Sequence, residues 1–265
     1  MPKLKRTAED KDGRPDGTEF IESLDRGLRV IQSFASDHRP MTLSDIAKVS
    51  NLPRATVRRI LLTLQKSGFV AGDDRLFTLT PRILTLASTY LASNQISTVM
   101  QPLMDEVSSK AKEICSLAVL DDDEAVFVAR ASPARVFPAG VDIGYRLPAF
   151  CTSVGRVLLG RLSNDELTAT INGMTLKPQT PETITDKSLV IATIVTDRSK
   201  GYSLVDLEAE EGFRSISVPI HRYDGGIIAA ANIGAHVDRI STGEMIDRFL
   251  PLLKQMAATA KPLLV

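Results

Sequence analysis

Arg54, Arg58, Arg59 and Lys66 stand within the stretch RATVRRILLTLQK, and no acid stands among them. Val57, Ile60, Leu61 and Leu64 recur at i, i+3, i+4 and i+7, the stripe by which a helix packs inward. Arg54, Ala55, Thr56, Arg58, Arg59 and Thr63 then point outward. A helix that offers its N-terminus, three guanidiniums and a hydroxyl suits the major groove of duplex DNA, whose phosphates attract cations. The plain alternative is a solvated basic face on an ordinary surface helix.

A second group could hold a small anion. PAFCTSVGR places Cys151, Thr152 and Ser153 at a helix start, where free N–H groups and the helix dipole favour a carboxylate. Arg135 and Arg146 flank this segment, and Ser215, Ser217 and Asn232 are polar positions in apolar, strand-like runs. Each has a plain alternative. Thr152 or Ser153 can simply cap the helix, and Arg146 can serve a surface ion pair. Ser215 and Ser217 can face solvent, and Cys151 can be a small buried residue.

Other chemistry lacks a constellation. His38, His221 and His236 do not stand at spacings that suggest a nucleophile's base. DLEAEEG, from Asp206 to Gly212, has no histidine beside it and reads as a solvated acidic loop. Cys115 and Cys151 make neither a disulfide framework nor a metal set, and no phosphate-binding glycine motif is present. No catalytic residue, metal or cofactor is expected. Two rival readings remain: a redox sensor using Cys115 and Cys151, and an enzyme with a Cys151 nucleophile.

The elements that must position these residues follow from periodicity. Leu24, Leu28, Ile31 and Phe34 fall on one face at helical spacing and mark a first helix. Thr42 and Asp45 form a capping box before a second helix with Ile46, Ala47 and Val49 on its buried side. SNL is the turn before the arginine-bearing helix. Phe69 to Ala71 and Leu76 to Leu79 pair across Gly72-Asp73-Asp74, and Arg75 in that wing would meet phosphate or the minor groove. Three helices and a hairpin make a winged helix-turn-helix. The helix of TPRILTLASTYLAS is apolar on more than one side, which points to contact between two subunits, the plain alternative being that it packs against its own two domains.

The rear of the chain reads as helix, strand hairpin, a third strand over Val136 to Ile143, helices, a second strand pair and a final helix. That order describes an α+β architecture around an antiparallel sheet. Capping boxes stand at Ser163–Glu166 and Ser241–Glu244. Expected boundaries are a disordered arm at 1–17, the winged module at 18–80, a linker helix at 81–95 and an effector domain at 96–265. The chain carries 32 Lys and Arg against 32 Asp and Glu. The first 80 residues hold 14 cations against 11 acids and the rest 18 against 21, which fits a basic nucleic-acid module joined to something else. No apolar run reaches the ~18 residues of a membrane span, and Met1 to Gly17 has no signal-peptide core, so a cytoplasmic protein at the bacterial nucleoid is expected.

From about Phe20 to Val265 the chain resembles the IclR family of bacterial transcription regulators. The resemblance rests on SLDRGLRVIQSF, LSDIAKVSNLPRATVRRILLTL, LTPRILTLASTYLAS, GYRLPAFCTSVGRVLLG, GYSLVDLEAEEGFRSISVPI and AAANIG. It is most similar to the branch that controls protocatechuate, 4-hydroxybenzoate and β-ketoadipate catabolism. The resemblance implies a winged helix-turn-helix, a linker helix used in dimerisation and a GAF-like effector domain. It also implies a homodimer or homotetramer on a palindromic-type operator in double-stranded DNA, ruled by a small carboxylate or aromatic acid effector. That effector would lie between the sheet and the segment from Pro148 to Arg156, with Asp206, Ser215, Ser217 and Asn232 from the strands. Some relatives have a cysteine where Ser215 stands.

Overall fold

A computed structural model describes residues 20–36, 39–73, 75–93, 96–133 and 143–264. The chain divides into two compact units, Met1–Ser93 and Asn94–Val265.

The first unit packs α1 (Glu22–Ser33), α2 (Leu43–Val49) and α3 (Arg54–Lys66) with a hairpin of β1 (Val70–Gly72) and β2 (Phe77–Leu79). Thr42 caps α2 by the expected box, its hydroxyl accepting from the Asp45 N–H while the Asp45 carboxylate accepts from the Thr42 N–H. Asn51 takes φ 52° in the turn to α3, a left-handed conformation that asparagine tolerates. Val30, Ile46, Ala47, Val57, Leu61, Val70 and Phe77 share one core. Met41 exchanges backbone hydrogen bonds with Phe77 at 3.0 and 2.9 Å, so the segment before α2 extends the hairpin.

Leu24 and Leu28, on the apolar face of α1, remain 59% and 49% exposed. Val30 and Ser33 are the residues α1 buries, because the unit's core lies under its C-terminal half. Val49, expected on the buried side of α2, is also exposed. A short 3-10 turn then leads into α4 (Leu84–Ser93), whose Leu84, Leu86 and Tyr90 are exposed within this unit.

The second unit begins with α5 (Ile96–Ala111) and is built on a six-stranded antiparallel sheet in the order β5-β4-β3-β8-β7-β6. Its strands are β3 (Ile114–Asp121), β4 (Glu124–Ala131), β5 (Arg146–Pro148), β6 (Ser203–Asp206), β7 (Phe213–His221) and β8 (Ile227–His236). β5 falls between the third strand expected over Val136 to Ile143 and the helix start at Ser153, where no strand was expected. The strand expected over Val136 to Ile143 lies outside the described residues but for Ile143, which stands in a turn.

Alternation sorts the two sheet faces. Cys115, Leu117, Ile216, Val218, Ile220, Ala231 and Ile233 pack against α5 and the C-terminal α10 (Leu250–Ala260), which follows the one-turn α9 (Thr242–Glu244). Ser116, Ala118, Ser215, Ser217, Ala230 and Asn232 fall on the opposite face, with α6 (Ser153–Leu159). α7 (Asn164–Gly173) and α8 (Lys187–Lys200) form a further core with the turn before α6. Gly155 allows that turn to close: a Cβ there would lie 2.2 Å from the Ala149 carbonyl oxygen.

Candidate functional site

Two sites stand on these two units. On α3, Val57 and Leu61 are buried while Arg54, Ala55, Arg58, Arg59 and Thr63 are exposed and Thr56 is half-buried. Arg54, Arg58 and Arg59 make no ion pair among the described residues. The Thr63 hydroxyl is turned back on the helix, donating to the Arg59 carbonyl at 3.0 Å. In the wing the Asp73 carboxylate accepts from the backbone N–H groups of Arg75 and Leu76, which holds the turn and leaves the Arg75 side chain exposed. Those two bonds also lower the Asp73 pKa. α3 and the wing thus present Arg54, Arg58, Arg59 and Arg75 outward, with no ion pair to them among the described residues.

The second site is a cavity of about 220 Å³ on the α6 face of the sheet. A β-bulge shapes it. Leu117 pairs with Ala129 and Ala118 with Phe127, so Val128 is the extra residue, and Phe127 and Arg130 come to share the cavity face. Ser116, Asn232 and Ser215 supply polar groups, while Ile114, Val154 and Val205 supply apolar wall. Asn232 Oδ1 is buried and accepts no hydrogen bond among the described residues. Arg214 also lines the cavity, but its guanidinium is held by the Asp206 carboxylate at 2.9 Å and the Ile240 carbonyl at 2.9 Å.

The candidates for this site divide into groups. Thr152, Ser215 and Asn232 line the cavity. Ser153 and Ser217 stand just behind it, the Ser153 hydroxyl sharing hydrogen bonds with Ser215 at 2.7 Å and Ser217 at 2.6 Å. Asp206 reaches it through Arg214. Cys151 is buried in the α7–α8 core instead. Arg146 lies outside the cavity, on the surface, its guanidinium 2.5 Å from Glu124 and 2.8 Å from Asp121. Arg135 lies outside the described residues. One amide at the start of α6 serves the protein itself, for Thr152 Oγ1 accepts from the Gly155 N–H at 3.1 Å. Ser116, Phe127, Arg130, Glu210 and Arg214 escaped the sequence reading. The bulge and the strand register bring the four strand residues together and the segment after β6 brings Glu210, and neither is written in local periodicity.

DLEAEEG is solvated only in part, at Glu210 and Glu211. Glu208 is buried, and its carboxylate takes a two-pronged bond from Arg156, 2% exposed, at 2.8 and 2.7 Å. Arg156 Nε donates to the Phe150 carbonyl, and Glu208 also accepts from the Ile184 N–H. One ion pair therefore ties α6, the turn before it, the segment before α8 and the cavity wall that carries Ala209 and Glu210. A cluster of acids looks solvated from its own sequence; its cation stands 52 residues earlier.

The thiols fit neither rival reading. Burial pushes both Cys115 and Cys151 up to about 12. They belong to separate cores, Cys115 between the sheet and α5, Cys151 between α6 and α7–α8. Among the described residues no His, Cys, Asp or Glu group could hold a metal ion, and no helix is long and apolar enough to cross a membrane.

A unit that turns a cationic helix and wing outward, on one chain with a unit that encloses a polar-floored cavity, defines a ligand-controlled DNA-binding regulator. Residues 23–74 match the IclR helix-turn-helix domain and residues 88–261 match the bacterial transcriptional regulator IclR C-terminal domain. The chain belongs to the IclR family of bacterial transcriptional regulators. It is 39% identical to the Pca regulon regulatory protein of Pseudomonas putida, over 91% of this chain and 82% of that one. It is 34% identical to the p-hydroxybenzoate hydroxylase transcriptional activator of Acinetobacter baylyi, over 90% of each. A Rhodococcus sp. RHA1 structure described as a transcriptional regulator superposes with a TM-score of 0.80 at 40% identity, over 92% of this chain and 98% of that one. The inducer binding domain of an Acinetobacter PobR double mutant, in complex with 3-hydroxybenzoic acid, matches with a TM-score of 0.61 at 35% identity. That match covers 63% of this chain and 98% of that one. These relatives are regulators, not enzymes.

Proposed function

We propose that this chain is a sequence-specific regulator of aromatic acid catabolism genes and takes a hydroxybenzoate-type effector in the cavity over β3, β4 and β8. The observation that carries the reading is that cavity: walled by apolar side chains and floored by Ser116 and Asn232. The hydroxybenzoate regulators among its relatives support the ligand class. Thr152, Ser215 and Asn232 contact the effector, while Ser153, Ser217 and Asp206 hold those contacts in place. Arg54, Ala55, Thr56, Arg58, Arg59 and Thr63 face the major groove and Arg75 a phosphate.

The functional divisions are a DNA-binding module over 18–80, a linker over 81–95 and an effector module over 96–265. The protein works in the cytoplasm as a homo-oligomer on a palindromic-type operator, with recognition helices about 34–36 Å apart. Leu24 and Leu28 on α1, with Leu84, Leu86 and Tyr90 on α4, are the apolar surface that a second copy covers. Effector binding favours one arrangement of the linker helices, and so one spacing of the DNA heads.

Thermal unfolding with a panel of aromatic acids tests this, since a ligand that binds only the folded state raises its stability, by about 2.7 kcal/mol at a hundred times Kd. A raised melting temperature with 4-hydroxybenzoate or 3-hydroxybenzoate is expected. No shift with any aromatic acid would reject the effector class.

A further inference from the structure

The wing is a slender element to aim a charge with. β1 and β2 have three residues each, and a hairpin alone is marginally stable in water. Phe77 gives both its N–H and its carbonyl to Met41, on the side of β2 away from β1. Phe77 also stands opposite Gly72. Pairs in an antiparallel ladder alternate between bonded and open, so Gly72–Phe77 is an open pair and Gly72 turns its backbone groups off the outer edge of β1. The neighbouring pair, Ala71–Thr78, is then the bonded one. Between that pair and the tip, side chains must hold the wing.

Asp73 closes the turn from within, accepting from the N–H groups of Arg75 and Leu76. Gln65 holds it from outside. It stands in the last turn of α3, and its Nε2 donates to the outward carbonyl of Gly72 at 3.1 Å. That bond fastens the wing to the helix that carries Arg58 and Arg59. Gly72 fits the turn closely, since a Cβ there would lie 2.3 Å from the Leu76 carbonyl oxygen. Arg75, three residues past the fastened carbonyl, is exposed. A solvated bond of this kind adds little to the stability of the fold. Its consequence is where Arg75 stands relative to α3.

We propose that Gln65 is a positioning residue for DNA binding: by holding Gly72 it fixes the wing against the recognition helix and so sets where Arg75 meets the phosphate backbone. The assignment rests on the reading of Arg75 as a phosphate contact. Gln65 acts through Arg75 and needs no contact with DNA. A side chain whose backbone is held before binding loses less conformational freedom on binding than one ordered at that moment. Loss of the Gln65 bond therefore weakens DNA binding only as long as Arg75 is there to be placed.

Fluorescence anisotropy of the full-length protein on a labelled duplex of mixed sequence, over a salt series, tests it, because phosphate contacts supply sequence-independent binding. The parent is compared with Gln65→Met, Arg75→Ala and the double variant. Methionine keeps the length of the side chain and loses the donor. Arg75→Ala should lower the salt slope by about one. Gln65→Met should weaken binding by about threefold or more at fixed salt. In the Arg75→Ala background the same substitution should have no further effect, which a merely structural role would not produce. An equal loss in both backgrounds, or no loss in a folded Gln65→Met protein, would overturn the proposal. An Arg75→Ala protein with the parent's affinity and slope would instead bring down the reading of the wing beneath it. Gln65→Ala, which also removes the donor, repeats the cycle should the methionine variant fail to fold.

Discussion

Arg58 and Arg146 show how differently two arginines behave. Arg58 is exposed on α3 and has no ion pair among the described residues. Arg58→Ala should weaken operator binding and reduce the salt slope of log K by about one, since one phosphate contact is lost; fluorescence anisotropy over a salt series would show it. Arg146 sits in an exposed pair with Asp121 and Glu124. Partly exposed pairs of this kind contribute about 0–1 kcal/mol. Arg146→Ala should therefore leave effector affinity unchanged and shift stability only slightly, as calorimetry and thermal melts would record. The expectation that Arg146 meets the effector came from its nearness in sequence to PAFCTSVGR. Distance along the chain says little where β5 carries the side chain to an edge of the sheet. Ser215 and Asn232 were legible because a polar residue inside an apolar strand run stands out. Arg130 was not, because its place on the cavity face depends on one extra residue at Val128.

At the scale of elements, helices and caps were readable and sheet-edge segments were not. The boxes at Thr42, Ser163 and Ser241 all form, because each needs only a hydroxyl and a carboxylate three residues apart. The alternation of β7 and β8 correctly divided Ile216, Val218 and Ile220 from Ser215 and Ser217. The three-residue β5 has too few positions to show a period, and the depth of α1 depends on which half of it the core meets. α6 illustrates what tertiary contact demands of a sequence. Its Gly155 lets the Ala149 backbone pass within contact distance, and its Arg156 completes the buried pair with Glu208. Gly155→Ala should cost about 1–3 kcal/mol through forced repacking, read as a lowered denaturant midpoint with an unchanged slope; an unaltered midpoint would mean that the turn relaxes freely.

For the whole molecule, the two units must influence one another for the chain to regulate. α4 is exposed along its described side chains within the first unit, and α1 leaves Leu24 and Leu28 uncovered. Leu86→Glu should drive the protein toward monomer in light scattering and weaken operator binding together with it, since two half-sites are then no longer held in one body. Unchanged mass would remove α4 from the subunit contact. The central claim is that effector and DNA bind sites whose affinities are coupled, and such coupling must be reciprocal. The most direct measurement is the dissociation constant of 4-hydroxybenzoate with and without saturating operator DNA, set beside that of the DNA with and without saturating 4-hydroxybenzoate. Both are expected to change, and by the same factor. Two ligands that bind with affinities indifferent to each other would contradict it.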